Sequence, residues 1–201
     1  MLRSLISAFF VLVLAVVVLF VSIYRTTAIR YSFMGPNNSA AGVVFSSNVE
    51  YSLPYPGMLP DHPLWSLKVF RDRLILFLVR GPSDRANRLL FLADQRLVMA
   101  KYLCSKGGFS SCVVTAHKAE KYLVSALVSG RDAEVRGYNM DGFFETIAKA
   151  SLVHRELLER MMARVPDTAK PVFNEMLDDP RRVYEQVSHD LNRRQKDVPT
   201  P

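Results

Sequence analysis

Cysteine is nearly absent: two in 201 residues, which excludes a disulfide-dense secreted scaffold. Cys104, Cys112 and His117 are also too few for a structural zinc site, and Cys112 and His117, five apart, fall on different faces of a helix. No glycine-rich phosphate loop and no Gly-x-Ser-x-Gly nucleophile turn occurs. Basic and aromatic residues do not alternate as in a nucleic-acid module, and nothing recurs at a 34-residue period. These lacks lead us to expect no catalytic residue, no metal, no cofactor and no nucleic-acid partner.

The most informative absence is local. From Leu5 to Ile23 the chain carries no charge, and the run ends against Arg25 and Arg30. About 19 helical residues at ~1.5 Å each reach nearly 30 Å, the thickness of a bilayer's hydrocarbon layer. This predicts a transmembrane anchor over 5–24, preceded by a short cytoplasmic N-terminus, 1–4. A cleaved signal is the alternative, with Thr26 and Ala28 at the peptidase positions. Its apolar region would be only about 7–15 residues long, which favours retention.

Orientation draws on two opposed signals. Arg3 on one side against Arg25 and Arg30 on the other leans toward a cytoplasmic C-terminal domain. Cys104 and Cys112 lean the other way: they flank SKGGFSS, which reads as the turn of a helical hairpin. A disulfide there would persist only in an oxidising compartment and would stabilise the fold by roughly 2–3 kcal/mol. Two buried thiols are the alternative. The expected location is the cell membrane, with the C-terminal domain extracytoplasmic.

The formal charge is +7; removing Arg3, Arg25 and Arg30 leaves +4 after the anchor. That bias permits attraction to anionic headgroups, but Asp and Glu are interspersed, so a solvated surface is the plainer reading. Residues 25–48, rich in Gly, Ser, Asn and Ala, read as a linker, and 49–195 as one helical domain before a frayed tail, 196–201.

The domain opens with a proline-rich segment that forbids a regular helix. Tyr55-Pro56-Gly57 suits a turn, and Asp61 is placed to cap a helix beginning near Pro63. Asp61 and His62 invite an acid–base reading, but no third polar partner stands nearby. The segment Tyr55, Pro56, Gly57, Leu59, Pro60, Asp61, His62 and Pro63 has two readings: contact with a partner, since prolines and aromatics bind with little ordering entropy, or packing over the bundle to close its core.

The pattern Tyr51-x-Leu53-Pro54-Tyr55-Pro56-Gly57-x-Leu59-Pro60-x-x-Pro63-Leu64, followed by Leu67-Lys68 and Arg71-Asp72-Arg73, resembles a bacterial family of uncharacterised membrane-tethered domains. The resemblance covers 49–130 and stops before 131–195. It implies an all-helical domain held outside the cytoplasmic membrane, and it implies no activity. The hairpin Leu97–Leu123 also resembles a single tetratricopeptide unit, too little for a solenoid.

Periodicity alone predicts an all-α antiparallel bundle of about five helices. Leu64, Leu67, Phe70, Leu74, Phe77 and Leu78 are spaced as one helical stripe from Pro63 to Val79. Ser83 suits the cap of a second helix to Leu103, and a third runs from Ser110 until Gly130 ends it. A fourth spans 141–165, closed by Pro166. A segment from Thr168 and a separate last helix, capped by Asp179 with Pro180 at its first turn, complete the chain. His154 falls within the fourth helix's apolar stripe and reads as a core histidine bonded to a neighbour, the alternative being a ligand or pH-sensitive group. Met161 and Met162 read as core filling.

The expected function is binding, scaffolding or sensing at the cell envelope, with an envelope protein or a second copy as partner. The alternative is an accessory subunit or small enzyme whose Asp61, His62 and Arg71 become competent only in a complex.

Overall fold

The computed structural model describes residues 50–193 and, apart from them, only Val18. The expected anchor, apart from Val18, and the linker and the tail therefore lie outside the described residues. Among the described residues no helix is long and apolar enough to cross a membrane.

Residues 50–193 belong to one compact unit and are all-helical: α1 (Trp65–Leu78), α2 (Pro82–Ser105), α3 (Phe109–Val135), α4 (Asp141–Met162), a 3₁₀ turn (Asp167–Ala169) and α5 (Lys170–Arg193). Their main packing joins α2 to α3 and α4 to α5, with α3 also against α5. The α2–α3 pairing follows from small buried residues on both helices, Ala93, Ala100 and Cys104 on one, Cys112, Ala116, Ala119 and Ala126 on the other. Short side chains let two helix axes approach and bring more atoms into contact. At the hairpin head Gly108 N–H reaches the Leu103 carbonyl at 2.9 Å, and a disulfide joins Cys104 to Cys112, whose Cα atoms are 5.2 Å apart.

The core falls into two apolar clusters stacked along the bundle. One lies toward the hairpin head, around Leu97, Ala116, Leu157 and Phe173. The other gathers Leu90, Leu123, Phe144, Ile147 and Val187. Tyr51 packs against both.

Several local expectations are corrected. Gly130 does not end α3; it is buried within it, because a Cβ there would lie 2.4 Å from the Phe143 ring of α4. The helix stops instead at Gly137, whose φ of 88° turns the chain out of the helical region. Pro180 opens no new helix: α5 runs through it. A mid-helix proline costs about 3 kcal/mol, offset here by one continuous buried stripe, Phe173, Met176, Leu177, Pro180, Val183, Val187 and Leu191. Ser83 is not a cap; α2 begins at Pro82, with Gly81 at the N-cap and no side-chain cap bond. Asp61 does not cap α1 either: it lies 3.5 Å from the Lys106 ammonium, and His62 Nδ1 accepts the Leu64 N–H at 3.2 Å.

The largest difference concerns α1. Its periodic apolar stripe faces outward: Leu67 is 63% exposed, Phe70 62% and Phe77 83%, while Asp72 and Ile75 turn inward. Asp72 is drawn in by Arg88 of α2, 3.6 Å away, and by Arg71 at 3.0 Å.

Candidate functional site

A chain of polar side chains runs through the layer between the two apolar clusters. The Tyr51 hydroxyl donates to Asp94 Oδ2 at 2.6 Å; Asp94 Oδ1 lies 3.0 Å from His154 Nε2; and His154 Nδ1 lies 2.9 Å from Glu120 Oε1. Asp94 comes from α2, Glu120 from α3 and His154 from α4. The strap leading into α1 supplies Tyr51 and, next to it, Leu53, buried in the cluster at the hairpin head.

Both imidazole nitrogens face carboxylate oxygens, so each contact needs a proton, and neutral imidazole carries only one. Burial alone would lower the His154 pKa. The Glu120 charge, the hydrogen bonds to Asp94 and Glu120 and the Asp94 charge overcome it and raise the value to about 10. Burial pushes Glu120 upward against the pull of His154, and the charges of Asp179 and Asp94 add to the rise. Tyr51 is held well above its ordinary value by burial, then by the Asp94 charge and hydrogen bond. Glu120 Oε2 is buried without a hydrogen-bond partner among the described residues.

This layer is sealed: His154 and Glu120 have no exposed surface. It ties three helices and the strap together and offers no entry to a substrate. His154 is thus the core histidine that its position suggests, with two carboxylate partners from other helices. Among the described residues no group of three or more His, Cys, Asp or Glu could hold a metal. The two carboxylates approach opposite sides of one ring, so three donors do not converge on a point.

The proline-rich segment divides between its two readings. Leu53 and Pro56 are buried; Lys68 donates to the Pro56 and Met58 carbonyls at 3.3 and 3.4 Å, and Gln95 Nε2 to the Tyr55 carbonyl at 3.3 Å. Gly57, Leu59 and Pro60 are half-buried. The Tyr55 side chain, Asp61, His62 and Pro63 stand exposed. Asp61 pairs with Lys106, His62 Nδ1 accepts the Leu64 N–H and Arg71 is engaged with Asp72, so each of the three has a different partner.

Accessible chemistry lies instead beside α1. A surface groove of about 590 Å³ is lined by Trp65, Val69, Phe70 and Arg73 of α1, Arg96 of α2, and Lys118, Lys121 and Tyr122 of α3, with the hydroxyls of Ser66 and Ser125. No acidic side chain lines it. Lys68, on the same helix, stands 5.1 Å from the Trp65 ring centre. Burial lowers its pKa to about 8, with Arg71, Arg96 and Arg88 adding to the fall and Asp72 opposing it. Residues 118, 121, 122 and 125 share one helical face, a spacing readable in the sequence. Their meeting with 65, 66, 69, 70 and 73 was not, because it depends on how α1 lies across the hairpin.

Comparison of the chain with family models, curated proteins and solved structures finds no match.

Proposed function

We propose that the chain is a single-pass membrane-anchored protein whose helical unit faces the envelope and works by binding, as a scaffold or sensor. The observation that carries this reading is the surface of α1. Leu64, Leu67, Phe70, Phe77 and Leu78 form a row of large apolar side chains open to solvent beside a groove of one charge sign. Exposed apolar patches rimmed by polar groups mark contact surfaces. The charge-free run 5–23 supports the anchor. The Cys104–Cys112 disulfide supports the outward orientation, because such a bond is reduced in an ordinary cytoplasm. The motif from Tyr51 to Leu64, with its resemblance to membrane-tethered domains, is consistent with both.

The test is thiol labelling of intact cells with a membrane-impermeant maleimide, with and without impermeant reductant, read by mass analysis of Cys104 and Cys112. The expected result is an oxidised pair that labels in intact cells only after reduction. Free thiols that label only after lysis would sink the outward orientation. Co-purification from membranes tests the rest: a stoichiometric enzyme partner would shift the reading to an accessory subunit.

A further inference from the structure

The residue at the base of the groove, Arg96, is 7% exposed. Its guanidinium lies 5.7 Å from the Trp65 ring centre and 5.0 Å from that of Tyr122. Among the described residues no carboxylate pairs with it, and Nε is buried with no acceptor. A guanidinium removed from water without a counter-charge is costly, and aromatic faces offset only part of that cost. Around it stand Arg73, Lys118 and Lys121, again with no acid in the lining. A groove so built is electrostatically incomplete without an anion.

Its surroundings narrow the class of anion. Trp65, Val69 and Phe70 form one wall, and Phe70 continues outward into the open apolar row with Leu67. A free inorganic anion would use the cations and leave that row in water. An anionic amphiphile would use both, its phosphate among Arg96, Lys118 and Lys121 and its acyl region against Leu67 and Phe70. Basic residues beside an apolar helix face, with Trp at the boundary, are the chemistry of an interfacial helix.

We propose that the groove between α1 and α3 is a binding site for the phosphate headgroup of an anionic phospholipid, and that α1 lies on the bilayer with its apolar row in the interface. The inference rests on the membrane-anchored reading above. It assigns the α1 surface to the lipid itself and so deepens that reading.

Trp65 is the only tryptophan and lines the groove, so its fluorescence reports this site alone. The experiment reconstitutes the full chain into vesicles of phosphatidylcholine, with or without brominated phosphatidylglycerol, and into vesicles with brominated phosphatidylcholine at the same mole fraction. Flotation reads the anchor, and Trp65 quenching reads the groove. The expected result is flotation with every vesicle, with quenching by brominated phosphatidylglycerol clearly above that by brominated phosphatidylcholine. The exposed pair Lys118→Glu and Lys121→Glu should float and keep its helical circular dichroism but lose the excess. Arg96→Gln should lose it too, and the lysine pair keeps the test decisive if that variant fails to fold. Flotation with equal quenching by both lipids overturns the headgroup site while leaving the anchor standing. Failure to float overturns both. In detergent without lipid, a Trp65 shift that saturates with inorganic phosphate would assign the groove to a free anion and overturn the lipid commitment.

Discussion

At the scale of single residues, His154 carries the most. Its two carboxylate partners sit on different helices, so removing the ring leaves Asp94 and Glu120 buried beside each other without a cation between them. Breaking a buried charged set by deleting one member costs about 3–5 kcal/mol. His154→Ala should lower the urea unfolding free energy of the full chain in mild detergent by that amount. Tyr51→Phe removes one donor to Asp94 and should cost about 1–3 kcal/mol. A double-mutant cycle between the two should be non-additive, since both act on Asp94; additivity would contradict the shared network.

The same residue sets a pH dependence. The folded His154 pKa is raised from 6.5 to about 10, so its stabilisation is full below pH 6.5 and is lost as pH rises through 10. Glu120, also raised, acts in the same direction. Lys68, lowered to about 8, acts oppositely between about 8 and 10.5, and its half-exposed position weakens that contribution. The clean window is therefore about pH 6.5–8, where the unfolding free energy should fall with pH. Removing the ring alone would push the buried Glu120 carboxyl up further, so the test is the double variant His154→Leu with Glu120→Leu, whose slope there should flatten; an unchanged slope would show that this pair does not hold the extra proton.

At the scale of elements, the first four helices were readable from spacing, α5 read as two segments divided at Pro180, and the face a helix buries was not always legible. Leu67, Phe70 and Phe77 recur as a core stripe would, yet they point outward, because α1 turns its other side inward, with Ile75 buried and Asp72 beside Arg88 of α2. Gly130 looks like a helix end in the sequence because its neighbour Phe143 is thirteen residues away, on another helix. The partners of His154 were likewise invisible to a local reading, lying 60 and 34 residues away. Gly130 yields an element-scale prediction. Gly130→Ala presses a Cβ onto the Phe143 ring and should destabilise by about 1–3 kcal/mol in thermal or urea unfolding. Gly142→Ala, with nothing within 4 Å, should be nearly neutral or slightly stabilising. Equal effects at both sites would mean that α3 and α4 do not meet at Gly130.

At the scale of the whole molecule, stability and surface chemistry are separable. Two apolar clusters, one polar layer and a disulfide hold α2 to α5 together, whereas α1 contributes Ile75 and Asp72 to the interior and keeps Leu67, Phe70, Phe77 and Leu78 outside. If the outward row belonged to the core, replacing it would unfold the domain. Because it is exposed, Phe70→Ser with Phe77→Ser should shift the unfolding free energy by no more than about 0.5 kcal/mol per site. The same pair should reduce self-association of the full chain at low detergent, measured by light scattering, since a contiguous apolar surface is what drives that association. A large loss of stability would place these rings in the fold and leave the α1 surface without a binding role. Unchanged stability with less association would instead set α1 apart as the part of the molecule shaped for contact.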